Sequence, residues 1–106
     1  MKLMTKAIEK KIPRLLETDG EGDNARVYLK LFHPMLRWTW YATEYDPDTK
    51  MCFGYVLSGI DPSYDELGSF SLEELEQVSL PFGLKIERDL YWDDKTRVGD
   101  VMRGKL

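Results

Sequence analysis

The stretch Arg37–Tyr45, RWTWYATEY, constrains the fold of this chain more than any other. Its two tryptophans, two tyrosines and two threonines suit a pleated, half-buried surface and predict a strong β-strand. Side chains alternate faces along a strand, so Trp38, Trp40, Ala42 and Glu44 share one side. Thr39, Tyr41, Thr43 and Tyr45 share the other. The first set predicts a core face, with Trp40 buried, that ends in a carboxylate. The second predicts an amphipathic outer face. Neither set is a catalytic signature.

The flanking segments build a sheet around that strand. Ala25–Phe32 alternates Val27, Leu29 and Leu31 with Arg26, Tyr28 and Lys30, a half-buried strand that His33-Pro34 breaks. Asp46-Pro47-Asp48-Thr49-Lys50 is turn chemistry. Beyond it, Met51–Ser58 alternates Met51, Phe53, Tyr55 and Leu57 with Cys52, Gly54, Val56 and Ser58. Strand, turn and strand make a hairpin, and the three segments make an antiparallel meander. Tyr64–Phe70 can add a short edge strand, and Phe82–Trp92 a fourth strand or an extended arm.

Helix signals sit at the two ends. Thr5 can cap a helix whose apolar stripe is Ile8, Ile12, Leu15 and Leu16, with Pro13 kinking it or starting a second short turn. Ser71 and Glu74 form a capping box ahead of Leu72, Leu75 and Val78, and Pro81 follows the end of that helix. Thr96–Met102 reads as a last short helix presenting Val98, Val101 and Met102. The expected fold is a single α+β domain over residues 1–106. An antiparallel sheet of three or four strands packs with an N-terminal helix and one or two short C-terminal helices.

Composition excludes several function classes. Cys52 is the only cysteine and His33 the only histidine, so neither a disulfide framework nor a cysteine or two-histidine metal site is expected. No apolar run reaches the roughly 18 residues of a membrane span, and a cytoplasmic setting without membrane contact is expected. Charge is uneven. Residues 1–18 carry five cations against Glu9 and Glu17, a net +3. Residues 44–76 carry nine carboxylates against Lys50 alone, a net −8. That balance disfavours direct contact with a phosphate backbone and suits a protein partner with a basic surface. The candidate acidic contact is Glu44, Asp46, Asp48, Asp61, Asp65, Glu66 and Glu73. The simpler reading of the same residues is solubilising charge.

Three other site chemistries are conceivable. Trp38, Trp40, Tyr41 and Glu87 could line an aromatic pocket for a small ligand or nucleotide. Glu44, Glu87 and Asp89, with His33, could form a small hydrolase site if burial separated the carboxylate pKa values. Arg88 could equally pair with Glu44 or Asp89 as a structural anchor. Asp46, Asp48 and Asp61 could hold magnesium, although loop aspartates are commonly turn formers. No nucleophile or complete metal set supports these, so no cofactor and no catalysis are expected.

Four strings carry a family resemblance: MTKAI near the start, WTWYATEYD at Trp38–Asp46, LGSFSLEELE at Leu67–Glu76 and GLKIERDLYW at Gly83–Trp92. Together they resemble the bacterial domain of unknown function numbered 2958, over nearly the whole chain. The His33–Arg37 segment departs from the short Asp/Gly-containing turn more usual there. The resemblance implies a small cytoplasmic protein of plasmids, integrative elements or phages, with no established activity. In that setting the expected role is a non-enzymatic accessory protein. One form would be an acidic inhibitor of a host defence nuclease, of anti-restriction or anti-CRISPR type, that occupies a basic channel.

Overall fold

The computed structural model describes residues 2–104. In chain order its elements are α1 (Lys6–Lys11), β1 (Leu29–Phe32), β2 (Thr39–Asp46), β3 (Met51–Leu57), β4 (Glu66–Ser71), α2 (Leu72–Gln77), β5 (Glu87–Arg88) and α3 (Val98–Met102). The strands form one antiparallel sheet in the order β4-β3-β2-β1-β5. The class is α+β as expected. The sheet has five strands where three or four were expected, because both optional strands form. The edge strand expected at Tyr64–Phe70 pairs with β3 as β4, and of the Phe82–Trp92 stretch Glu87 and Arg88 pair with Phe32 and Leu31 along the outer side of β1.

Local chemistry sets most boundaries. The Thr5 hydroxyl accepts the Ile8 amide at 3.1 Å and starts α1. The helix stops at Lys11 and Ile12 is extended, since Pro13 disfavours the helical region for the residue before it. The apolar stripe expected to run on to Leu16 therefore ends early, and Leu15 and Leu16 are exposed. In the β2–β3 turn the Asp46 carboxylate accepts from the Asp48 amide and the Thr49 hydroxyl, while Lys50 takes a left-handed φ of 60°. The Ser71 hydroxyl accepts the Glu74 amide at 3.1 Å and caps α2.

The sheet is covered on both faces, so β2 has no amphipathic outer face. On the first face Leu3, Met4, Ile12, Leu72 and Ile86 pack onto Leu29, Leu31, Ala42, Tyr45, Cys52 and Phe70. The β4–β5 connection crosses that face from one sheet edge to the other, carrying α2. On the second face Ala25, Val27, Val98 and Val101 pack onto Tyr41 and Tyr55. Val27 thus parts from Leu29 and Leu31, and the strand expected from Ala25 is regular only from Leu29. Trp40 is half-buried at the margin of the first core, where full burial was expected.

A β-bulge lies between Ala42 and Glu44 of β2. One extra residue inverts the alternation beyond it. Ala42 and Tyr45 consequently lie in the same core cluster although they are three residues apart. Glu44 pairs with Phe53 and turns to the second face, away from Trp40. The face expected to read Trp38, Trp40, Ala42, Glu44 therefore ends at Ala42.

Cys52 is fully buried in β3, and burial pushes its thiol up from about 9 to about 12. Burial also raises Tyr41, Tyr45 and Tyr55. A thiol raised on folding holds its proton more tightly in the folded state. Its contribution is intact below the unfolded value and is lost as pH rises toward the folded one. Melting temperature should thus fall between pH of about 9 and about 12, and Cys52→Ala should flatten part of that fall. Identical alkaline melting profiles for the two proteins would show that Cys52 takes no part.

Candidate functional site

β1 begins at Leu29, opposite Ala42, so the far half of β2 has no β1 beside it, and the chain from Pro13 to Thr18 bonds there instead. The Tyr45 amide donates to the Pro13 carbonyl at 2.9 Å. One Glu44 carboxylate oxygen accepts the Leu16 amide at 2.8 Å. The other accepts the Thr18 amide at 3.0 Å and the Thr18 hydroxyl. Glu44 is only 4% exposed, and these donors satisfy the buried charge. They also hold Leu16 at a φ of 73°, a left-handed conformation that costs an ordinary side chain about 1–2 kcal/mol. Glu44→Ala should cost about 2–3 kcal/mol, because it strands the buried Thr18 groups. Chemical denaturation checks this, and a loss no larger than that of Glu66→Ala would rule out a stabilising role for the Glu44 bonds to Leu16 and Thr18.

Between this loop and the second face lies a cavity of about 250 Å³. Ala25, Phe53, Leu67 and Val98 form its apolar walls, and Asp19, Asp23 and Glu44 supply carboxylates. Among the described residues no lysine or arginine lines it. The loop itself reads Glu17-Thr18-Asp19-Gly20-Glu21-Gly22-Asp23, four carboxylates in seven residues with no cation, and all four are exposed. Two apolar side chains stand open at the cavity, Leu16 at 76% and Leu67 at 48% exposure. One rim carboxylate is already paired: Arg103 reaches Asp23 at 3.3 Å.

The acidic residues of the 44–76 stretch do not form one surface. Asp46, Asp48 and Glu73 lie at the hairpin end of the sheet, where Met51 pairs with Ser71. Asp61, Asp65 and Glu66 lie at the other end of β3, roughly 20 Å away at the usual rise per residue. Glu44 is interior and leaves the surface set altogether. Several of the others are turn formers. Hydrogen bonds from the Asp48 amide and the Thr49 hydroxyl lower the Asp46 pKa, and bonds from Ser63 lower that of Asp61. Asp65 accepts the Ser58 amide at 2.7 Å. Asp48, Glu66 and Glu73 are exposed.

The other candidate sites are not assembled. Trp38 and Trp40 stack at 6.4 Å on the first face, whereas Tyr41 packs against Tyr55 and Trp92 on the second. Glu87 pairs with Phe32 at the opposite end from Glu44, so the four-residue aromatic pocket does not exist. The hydrolase set is scattered as well. Asp89 pairs with Lys30 at 3.6 Å, and the His33 ring nitrogen accepts the Met35 and Leu36 amides in its own turn. Asp46 and Asp48 lie at the other end of the sheet from Asp61, which dissolves the proposed magnesium set. Among the described residues no group of three or more His, Cys, Asp or Glu is placed to hold a metal ion. Arg88 donates to the Lys2 and Leu3 carbonyls, while Glu44 lies across the sheet.

Sequence reasoning missed the 17–23 loop as a site. Its signal was a carboxylate at every second position from Glu17 to Asp23, with no cation among them.

These features define a small α+β domain whose five-stranded antiparallel sheet, covered on both faces, carries a carboxylate-lined cavity. The model of the family described as a protein of unknown function, DUF2958, matches residues 3–103, and the chain belongs to that family. No curated protein and no solved structure matches it. Among the described residues no helix is long and apolar enough to cross a membrane.

Proposed function

We propose that this protein works by binding another protein, without turnover, and that the acidic loop and its cavity are the contact for a partner with a basic surface. The observation that carries this reading is the exposed run Glu17, Asp19, Glu21 and Asp23 beside an apolar-walled cavity that no cation lines among the described residues. Like charges held together on one loop create a local negative potential, which raises the rate of encounter with a basic surface. The exposed Leu16 and Leu67 supply apolar area beside that charge, the combination that makes an anchor and a polar rim in protein interfaces. A basic groove that handles nucleic acid, such as that of a defence nuclease, has the complementary charge. A mobile-element setting would supply such a partner.

Affinity capture from a lysate of the source organism, read by mass spectrometry at low and high salt, tests this. A basic protein should be retained at low salt and released as salt rises, since exposed charges are screened within about 10 Å at 0.1 M. Retention of no basic protein, or retention indifferent to salt, would count against it.

A further inference from the structure

We infer that the cavity beneath the 17–23 loop is an anchor site for one arginine side chain presented by the basic partner, an inference that rests on the function proposed above. Size is the first reason. At about 250 Å³ the cavity falls below the roughly 300–1,000 Å³ of sites that enclose small-molecule ligands, and it suits a single long side chain.

The distribution of chemistry is the second reason. Phe53, Leu67 and Val98 offer apolar walls to an aliphatic stem, while Asp19 and Asp23 stand where the stem would end in charge. Asp23 already meets Arg103, but a neutral apolar side chain would use the walls and leave the Asp19 carboxylate, which meets no cation among the described residues, without a partner. At the floor, one oxygen of buried Glu44 has taken a single donor, the Leu16 amide, and a carboxylate oxygen can accept two. The walls, the rim and the floor all call for a cation on an apolar stem.

Arginine fits this better than lysine. Its guanidinium is planar, weakly hydrated and able to donate two parallel hydrogen bonds to a carboxylate, and it can lie on an aromatic face such as that of Phe53. Lysine offers a compact ammonium that gives up its water less readily. The protein already shows a rim carboxylate receiving a guanidinium: Arg103 sits 3.3 Å from Asp23. Arginine is also among the residues that most often anchor protein interfaces.

The test is an NMR titration of the full chain with three blocked tripeptides, acetyl-Gly-X-Gly-amide, where X is arginine, lysine or citrulline. Arginine should give saturable amide shifts at Leu16, Thr18, Thr43 and Phe53, with affinity on the order of millimolar for one side chain. Citrulline keeps the shape and loses the charge, and should bind at least about tenfold more weakly, as should arginine on Asp19→Asn. Asp19 is exposed, so that variant should fold. Equal binding of citrulline, tighter binding of lysine, or shifts that map away from the cavity would each overturn the proposal. If the lysate still yields a salt-sensitive basic partner while the arginine peptide leaves these amides unmoved, the anchor fails and the proposed function stands. Peptide binding without any captured basic protein would fault the proposed function instead.

Discussion

Gly54→Ala should destabilise the protein by more than about 4 kcal/mol, in the range reached only when a substitution breaks something built into the backbone. Gly54 pairs with Ala42 on one side and Gly68 on the other, in the middle of the sheet. A Cβ there would fall on the Tyr41 carbonyl oxygen, with the Tyr41 carbonyl carbon at 2.9 Å and the Ala42 Cα at 3.0 Å. All three are main-chain atoms, so no side chain can swing aside. Glycine inside a strand often marks a bulge or a place where another backbone approaches closely, and here the bulge in β2 lies directly beside it. Gly68→Ala is the control. It sits opposite Gly54, in the same sheet, and a Cβ there would meet nothing within 4 Å. That variant should stay within about 0.5 kcal/mol of the parent. Urea unfolding of the two variants decides the matter: equal midpoints would mean that β2 and β3 do not approach as described.

What the sequence disclosed was local. Thr5 and Ser71 each cap a helix through the amide three residues on, and Asp46-Pro47-Asp48-Thr49-Lys50 closes the hairpin with its own side chains. Such contacts span a few residues and depend little on the rest of the fold. The misreadings came from distance and from one inserted residue. Strict alternation assigned Glu44 to the side of Trp40, and the bulge after Ala42 moved it to the other. The one residue that foreshadowed the bulge was Gly54 across from it, in a strand otherwise rich in large side chains. A strand was expected within Phe82–Trp92, but the bounds of β5 were not legible because it is two residues long and exists only through pairing with β1. Charge misled for a related reason: it was summed along the chain. Asp48 and Glu66 belong to one acidic stretch and lie at opposite ends of the sheet, whereas Glu44 and Thr18 are 26 residues apart and share a hydrogen bond.

The same contrast supplies the sharpest functional test. Reversing Asp19, Glu21 and Asp23 to lysine should abolish capture of the basic partner and leave the fold nearly as stable as before. All three side chains are exposed, and the one ion pair lost, Asp23 with Arg103, joins groups that are both more than half exposed. Pairs of that kind contribute between 0 and about 1 kcal/mol, so the melting temperature should move little. Association should respond far more strongly. Each reversal replaces an attraction with a repulsion, and like charges set against each other across an interface cost several kcal/mol. Reversing Asp48 and Glu73 makes the control, since both are exposed acids at the hairpin end of the sheet and neither lines the cavity. That pair should slow association only through the long-range field, an effect that salt erases within about 10 Å at 0.1 M. At physiological salt the control should therefore still hold its partner while the loop variant has lost it. If the two variants behave alike, the contact is not at the loop and the acidic run there serves only to keep the protein soluble.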